Sequence, residues 1–316
     1  MPRVLLRKLN FTACNVLVQA NKHLDMSESP LPINQRIEEI ASKAGAKAVA
    51  VAVYDYETET GFSLHGDRWF HAASTIKVPV LVTVFDAIER GEFSLDSRLH
   101  VRNRFLSAVD GESFKCSAGR DANSAVQNAI GKTMRIEELA THMITTSSNL
   151  ATNLLLDLVG LEAAQATLKN AGFEGIELRR GVEDEKAFEQ GINNMVTANG
   201  LLTVFRKIEE ETILSKESCD KMLDILHQQE FKSGIPAKLP SGTKVAHKTG
   251  EISTVAHDVG LVFLENRKPY ALAILTEWNP DASGRQETVA KISHSIYKFL
   301  TEEIAQQAKS VEQESK

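Results

Sequence analysis

Strand-like segments lie near the two ends of this chain and helical ones fill its middle, a distribution that limits the folds open to it. Residues 46–56 have the β-branched density of a buried strand, and 61–66 read as its hairpin partner. Further strands are expected at 243–247, 255–264 and 270–276. In between, the apolar positions Ile76, Val80, Leu81, Val84 and Ile88 recur with a helical period that stops at Gly91. Pro79 falls in what reads as the second turn. Helical patterns follow at 134–144, at 150–158 before Gly160, at 199–208 and at 216–227, and 287–307 reads as a closing amphipathic helix. This order predicts an α+β fold: an antiparallel sheet flanked by N- and C-terminal helices, with an all-helical domain inserted. The expected boundaries are an arm at 1–30, a discontinuous sheet domain at 31–66 and 211–307, a helical domain at 67–210 and a disordered tail at 308–316. A ligand cleft is expected where sheet and helices meet. Residues 105–129 are polar and long for a connection, which suggests an inserted lid near that cleft.

Composition narrows the classes of function. At 316 residues and a net charge of −6, the chain has an ordinary globular balance and no basic stripe interleaved with aromatics, which argues against nucleic acid. No run of eighteen apolar residues is present, so no membrane span is expected. Cys14, Cys116 and Cys219 are odd in number and irregularly spaced, and read as unpaired. Neither a metal nor a cofactor is implied by any His or Cys spacing. No heptad calls for a dimer, so a monomer is expected.

Three short motifs carry the chemistry. In Ser74-Thr75-Ile76-Lys77, at a junction between strand and helix, residues three apart share a face, so a lysine amine can lie beside a serine hydroxyl. A serine there serves either as a cap or as a nucleophile, given a neutral amine to take its proton. Ser147-Ser148-Asn149 falls between two helical patterns, where its polar groups either cap the second helix or point into a cleft. His247-Lys248-Thr249-Gly250 follows Val245-Ala246, at the end of a strand-like run. On an edge strand it would offer a positive field, a hydroxyl and close backbone access for an acyl donor bearing a carboxylate.

In order, separation and context, the three motifs resemble those of the class A β-lactamases and the penicillin-binding proteins. The resemblance extends through Phe70-His71-Ala72-Ala73 and Leu150-Ala151-Thr152-Asn153, and covers the chain from Ile33 to about Leu300. It implies a serine hydrolase acting on a small β-lactam or related acyl donor through a covalent acyl-enzyme, without metal or cofactor. Ser74 would be the acylated nucleophile and Lys77 its base, with Ser147 passing a proton to the leaving nitrogen. Asn149 would bind the substrate's side-chain amide and help to hold the lysine, while Lys248 and Thr249 would anchor its carboxylate. The backbone N–H groups of Ser74 and Glu251 would form the oxyanion hole. A periplasmic or secreted location is also implied, although residues 1–18 do not make a convincing signal peptide and Met26 is an equal candidate for the start.

Two departures from the family pattern bear on mechanism. Position 148 carries serine where the family usually has aspartate, so a buried carboxylate is missing or replaced. The Arg-x-Glu-Pro-x-x-Asn stretch that normally supplies the deacylation glutamate is not legible in Leu178-Arg179-Arg180-Gly181-Val182-Glu183-Asp184-Glu185. Glu183, with Glu185 next, is the expected residue to position a hydrolytic water, set against a reading of both as solvated acids paired with neighbouring arginines. An efficient base gives a β-lactamase, and its absence a penicillin-binding protein, a β-lactam sensor or a slow esterase. For a second positive group beside Lys248, His257 and Arg285 are the candidates. His247 and His257 otherwise read as hydrogen-bonded wall residues.

Overall fold

Alternation of alanine and valine in the first strand explains how the sheet is covered. Successive strand side chains point to opposite faces, and Ala50 and Ala52 enter one apolar cluster while Val49, Val51 and Val53 enter another. With both faces buried, the segment reads as a nearly unbroken apolar run. The structure is a computed structural model that describes residues 31–303 other than 123. The arm and tail expected at 1–30 and 308–316, Cys14 included, lie outside the described residues.

From Ile33 the chain runs through α1 (Ile33–Lys43), β1 (Ala48–Asp55), β2 (Thr60–Leu64) and the short β3 (Phe70–His71) into α2 (Lys77–Glu89). Small strands β4 (Arg98–His100), β5 (Phe105–Leu106), β6 (Ser113–Phe114) and β7 (Thr133–Arg135) precede α3 (Ile136–Thr145), α4 (Asn149–Val159) and α5 (Leu161–Asn170). Then β8 (Ile176–Glu177), α6 (Glu185–Glu189), β9 (Met195–Val196), α7 (Ala198–Glu209) and α8 (Lys216–His227) lead back to the sheet. It is completed by β10 (Lys244–Ile252), β11 (Val255–Phe263) and β12 (Tyr270–Glu277) and followed by α9 (Arg285–Lys298).

Five strands pair antiparallel in the order β10-β11-β12-β1-β2. This is the α+β architecture expected, with β1 joined to β12 across more than two hundred residues from Ala48↔Glu277 to Asp55↔Tyr270. Ile37 and Ala41 of α1 and Val289, Ile292 and Ile296 of α9 pack on the valine face. The alanine face joins Ile76, Leu81, Leu139, Leu155 and Leu201 from the helical part. Each fully buried Val, Leu or Ile contributes roughly 1.5–3 kcal/mol, so these two interleaved faces hold the distant ends of the chain together. Among the described residues no helix is long and apolar enough to cross a membrane.

Several elements differ from their expected form. Strand β10 does not stop at His247 but runs on through Lys248, Thr249 and Gly250 to Ile252, because pairing with β11 continues to the hairpin end at Ile252↔Val255. Pro79 lies in the first turn of α2, since 73–76 form a 3₁₀ turn and the α-helix begins at Lys77. Its missing N–H there is one of the donors a helix start leaves unpaired. Helix α9 ends at Lys298 and passes into a π turn at Phe299–Glu303. Helix α5 was not anticipated, since it buries only Ala164 and Leu168 and so shows little apolar stripe. The 105–129 segment forms a small β5–β6 hairpin and two 3₁₀ turns, with Phe105, Ser107, Cys116 and Val126 buried. It is packed into the helical part as a wall rather than laid over the cleft as a lid.

Candidate active site

Ser74 stands on a tighter turn than the sequence suggests, with Lys77 closing it. Ala73–Ile76 is a 3₁₀ turn, and with three residues per turn, side chains at i and i+3 eclipse one another. Thr75 ties this turn down, its hydroxyl donating to Ala72 O at 2.6 Å. Ala73 has a φ of 46° and donates its N–H to His71 Nδ1 at 3.0 Å. Such left-handed backbone at an alanine costs of order 1 kcal/mol or more and persists only where the surroundings enforce it.

The Lys77 amine is fully buried and meets three acceptors: Ser147 O at 2.6 Å, Asn149 Oδ1 at 2.8 Å and Ser147 Oγ at 3.1 Å. Burial pushes it down to about 7, against the opposing pull of Asp121 and Glu183. An ammonium commits its three protons to these acceptors, whereas a neutral amine frees an electron pair. Lys248, also fully buried, donates to Ser147 Oγ at 3.0 Å and to Thr249 O at 2.9 Å. Burial first, and Lys77 beside it, hold Lys248 well below the ordinary lysine range, with Asp258 opposing. The Ser147 hydroxyl therefore accepts from both lysines, and its own proton is left to point elsewhere. Ser147 reaches this position with a φ of 58°, one residue before Ser148 caps α4 by accepting from Ala151 N.

Glu183 is placed beside this group. Its Oε1 accepts from Asn149 Nδ2 at 2.7 Å and its Oε2 from the Ser117 N–H at 2.8 Å, with only 7% of the side chain exposed. A loop without the usual sequence pattern holds it by clamping both neighbours. Asn153 binds the N–H and C=O of Val182, each at 2.8 Å. Asp184 caps α6 and accepts from Ser107 Oγ and the Ala108 N–H. These anchors enforce a φ of 60° at Glu183 itself. Glu185, by contrast, is 55% exposed and paired with Arg120. The partner arginine is thus Arg120 of the inserted segment; Arg179 pairs with Glu177, and Arg180 is buried against Ile192 O and Asn193.

Ser74, Ser147, Asn149, Glu183, Thr249 and Glu251 line one cavity of about 660 Å³. The seven side chains predicted to act converge there or, for Lys77 and Lys248, directly behind its wall. Residues 253–254 alone close the β10–β11 hairpin, so Ile252 and Gly250 fall in hydrogen-bonded pairs and the intervening Glu251 N–H faces away from β11. Gly250 also has a packing role. A Cβ there would lie 2.9 Å from Thr75 Cγ2 and 3.0 Å from Thr75 N, so the glycine lets the edge strand abut the Ser74 turn. Gly250→Ala is expected to force strand and turn apart, costing about 1–3 kcal/mol of stability and at least tenfold in the acylation rate. Thermal melts and burst kinetics would measure the two effects.

Neither candidate for a second positive group fills that position. His257 is fully buried, accepts from the Thr276 N–H and donates to His71 O, and burial pushes it down to about 4. It is a neutral strut beneath β3. Arg285 binds Ile252 O and Ser253 O at the hairpin end and pairs with Glu251. His247 is a buried wall residue bound to Asp258 at 2.8 Å. Cys116 and Cys219 are free and buried, and among the described residues no acidic, His or Cys cluster could hold a metal ion. Sequence reasoning gave no role to Ser117, Asp121, Asn153 and Asp184, since the groups they bind lie far along the chain.

A model of the beta-lactamase enzyme family matches residues 32–300. The chain belongs to that family. It is 25% identical to the extended-spectrum beta-lactamase PER-1 of Pseudomonas aeruginosa, over 91% of this chain and 94% of that protein. It is 23% identical to the beta-lactamase VEB-1 of the same organism, over 83% and 89%. Among solved structures it superposes on PBP-A with a TM-score of 0.73 at 28% identity, covering 86% of this chain and 97% of that one. A PBP-A variant solved as its acyl-enzyme complex with penicillin G gives 0.72 at 27%, covering 85% and 96%. A variant of the reconstructed class A β-lactamase of the last common ancestor of Gram-negative bacteria gives 0.74 at 24%, over 86% and 99%, a likeness of fold. Membership makes this chain a β-lactamase-like hydrolase by descent.

Proposed function

We propose that this protein opens β-lactams through an ester on Ser74 and hydrolyses that ester with Glu183. The observation that carries the reading is the continuous hydrogen-bonded path Asn149–Lys77–Ser147–Lys248 beside Ser74, with Glu183 bonded to Asn149 at 2.7 Å. The substrate carbonyl would sit between the N–H groups of Ser74 and Glu251, which favour a developing oxyanion. As Ser74 Oγ attacks the carbonyl carbon, its proton passes to the Lys77 electron pair. The lactam C–N bond then breaks while the Ser147 proton goes to the leaving nitrogen. Ser147 is reprotonated from the adjacent lysines, which meet it at 3.0–3.1 Å. Thr249 and Lys248 would hold the substrate carboxylate, whose arrival favours the ammonium form of Lys248. Asn149 would bind the side-chain amide, as it already bonds both Lys77 and Glu183. Glu183 would then take a proton from water attacking the ester carbonyl, and that proton would return to Ser74 Oγ as the ester C–O bond breaks.

Because Lys77 must be neutral to act, acylation is expected to rise with pH through about 7 and to level off above it. Burst rates measured from pH 5 to 9 check this; a rate independent of pH across that range would remove Lys77 as the base. The reading as a whole is tested by mixing the protein with a chromogenic cephalosporin and following colour and intact mass. Continuous colour is expected. A single burst with a stable adduct would instead favour the slow-turnover reading, that of a penicillin-binding protein, sensor or esterase. One observation lends that alternative weight: each Glu183 oxygen already accepts a protein hydrogen bond, and the carboxylate must still bind water. No colour and no adduct would exclude both.

A further inference from the structure

Although residue 148 is a serine, a carboxylate stands at the start of α4, reaching in from the inserted segment. Asp121 Oδ1 accepts from the Asn149 N–H at 2.5 Å, and Oδ2 accepts from Ser148 Oγ at 3.2 Å and from Gln127 Nε2 at 3.1 Å. It therefore grips, through main chain and side chain, the two residues that follow Ser147. Two other groups of the same segment reach Glu183: the Ser117 N–H bonds its Oε2, and Arg120 stands 3.9 Å away.

We infer that Asp121 is a positioning residue for acylation, a carboxylate supplied from 28 positions upstream that fixes Ser147 and Asn149 against Lys77 and adds a negative charge to that site. The inference rests on the acyl-transfer reading above but goes beyond it, since it assigns a task to a segment outside the three motifs. Its geometric basis is directness. Any shift of the Asn149 backbone moves the amide that bonds Lys77 at 2.8 Å, and Ser147, whose carbonyl and hydroxyl bond the same amine, is the preceding residue. The electrostatic basis is the set of groups around Lys77. Asp121 and, to a smaller extent, Glu183 favour its charged form, while Lys248 faces it as a like charge. Removing the Asp121 charge should therefore make Lys77 lose its proton at lower pH.

The test compares wild type, Asp121→Asn and the double variant Asp121→Asn/Ser148→Asp. In burst kinetics with a chromogenic cephalosporin, Asp121→Asn should lower the acylation plateau above pH 8 by about 10- to 100-fold, as expected for a loss of alignment. Its acid limb should move to lower pH, an effect that loosened packing alone would not produce. Returning a carboxylate at position 148 should restore at least part of the plateau. Lys77 titration read by NMR in ε-¹³C-lysine-labelled protein needs no substrate. If it and the plateau are unchanged in a folded Asp121→Asn protein, the inference is overturned. Were the wild type to form no adduct, the acyl-transfer reading would fail, while an unshifted Lys77 titration would still count separately against Asp121.

Discussion

Ser74→Ala should eliminate the covalent adduct and reduce β-lactam turnover by something on the order of 10⁶-fold, as loss of a nucleophile does in serine hydrolases. The variant is expected to fold. What holds the turn is the Thr75 hydroxyl on Ala72 O, the Ala73 N–H on His71 and the abutting Gly250, none of which involves the Ser74 side chain. Substrate should still bind, because the cavity keeps Asn149, Thr249 and the edge strand. Intact mass spectrometry after incubation with penicillin G is the deciding measurement. A mass increase in Ser74→Ala equal to that of the wild type would place the ester on another residue and remove the mechanism.

The second large effect is expected at Glu183. Glu183→Ala should leave the acylation burst within about tenfold of wild type and slow deacylation by roughly 10²–10⁴-fold, the usual contribution of a general base. Turnover would collapse into one equivalent of colour and a long-lived acyl-enzyme. Alanine also releases Asn149 Nδ2 and the Ser117 N–H, so Glu183→Gln is the companion variant. An amide can still accept from Asn149, at the cost of about one hydrogen bond where its NH₂ group meets Ser117. Trapping in both variants would assign the effect to the missing base, and trapping in alanine alone would assign it to a displaced Asn149. Normal turnover in both would leave Glu183 no part in hydrolysis. Glu185 is not expected to substitute, being 55% exposed and committed to Arg120.

How far the site was legible depended on how each residue is placed. Ser74 and Lys77 were readable because three residues on one turn fix their relation locally. Ser148 and Gly160 bracket α4 with recognisable end signals, and the β-branched density of β1 announced a buried strand. Glu183 was only one of two candidates. What separates it from Glu185 is a backbone φ of 60° enforced by Asn153 on one side and Asp184 on the other, partners 29 and 77 positions from the groups they bind.

By itself the sequence determined the α+β class, the order of the main strands and most of the helices, and the three motifs proposed to carry nucleophile, bases and anchor. Those follow from interactions within a few residues, which propensity and periodicity record. Only the tertiary structure decided that Ser147 Oγ bridges two buried lysines, that Gly250 makes room for the Ser74 turn, and that Asp121 stands where residue 148 offers no carboxylate. Each of these is a contact between segments tens to more than a hundred residues apart. Burial there withdraws water from the charges, and that withdrawal depends on which segments meet rather than on what either segment contains.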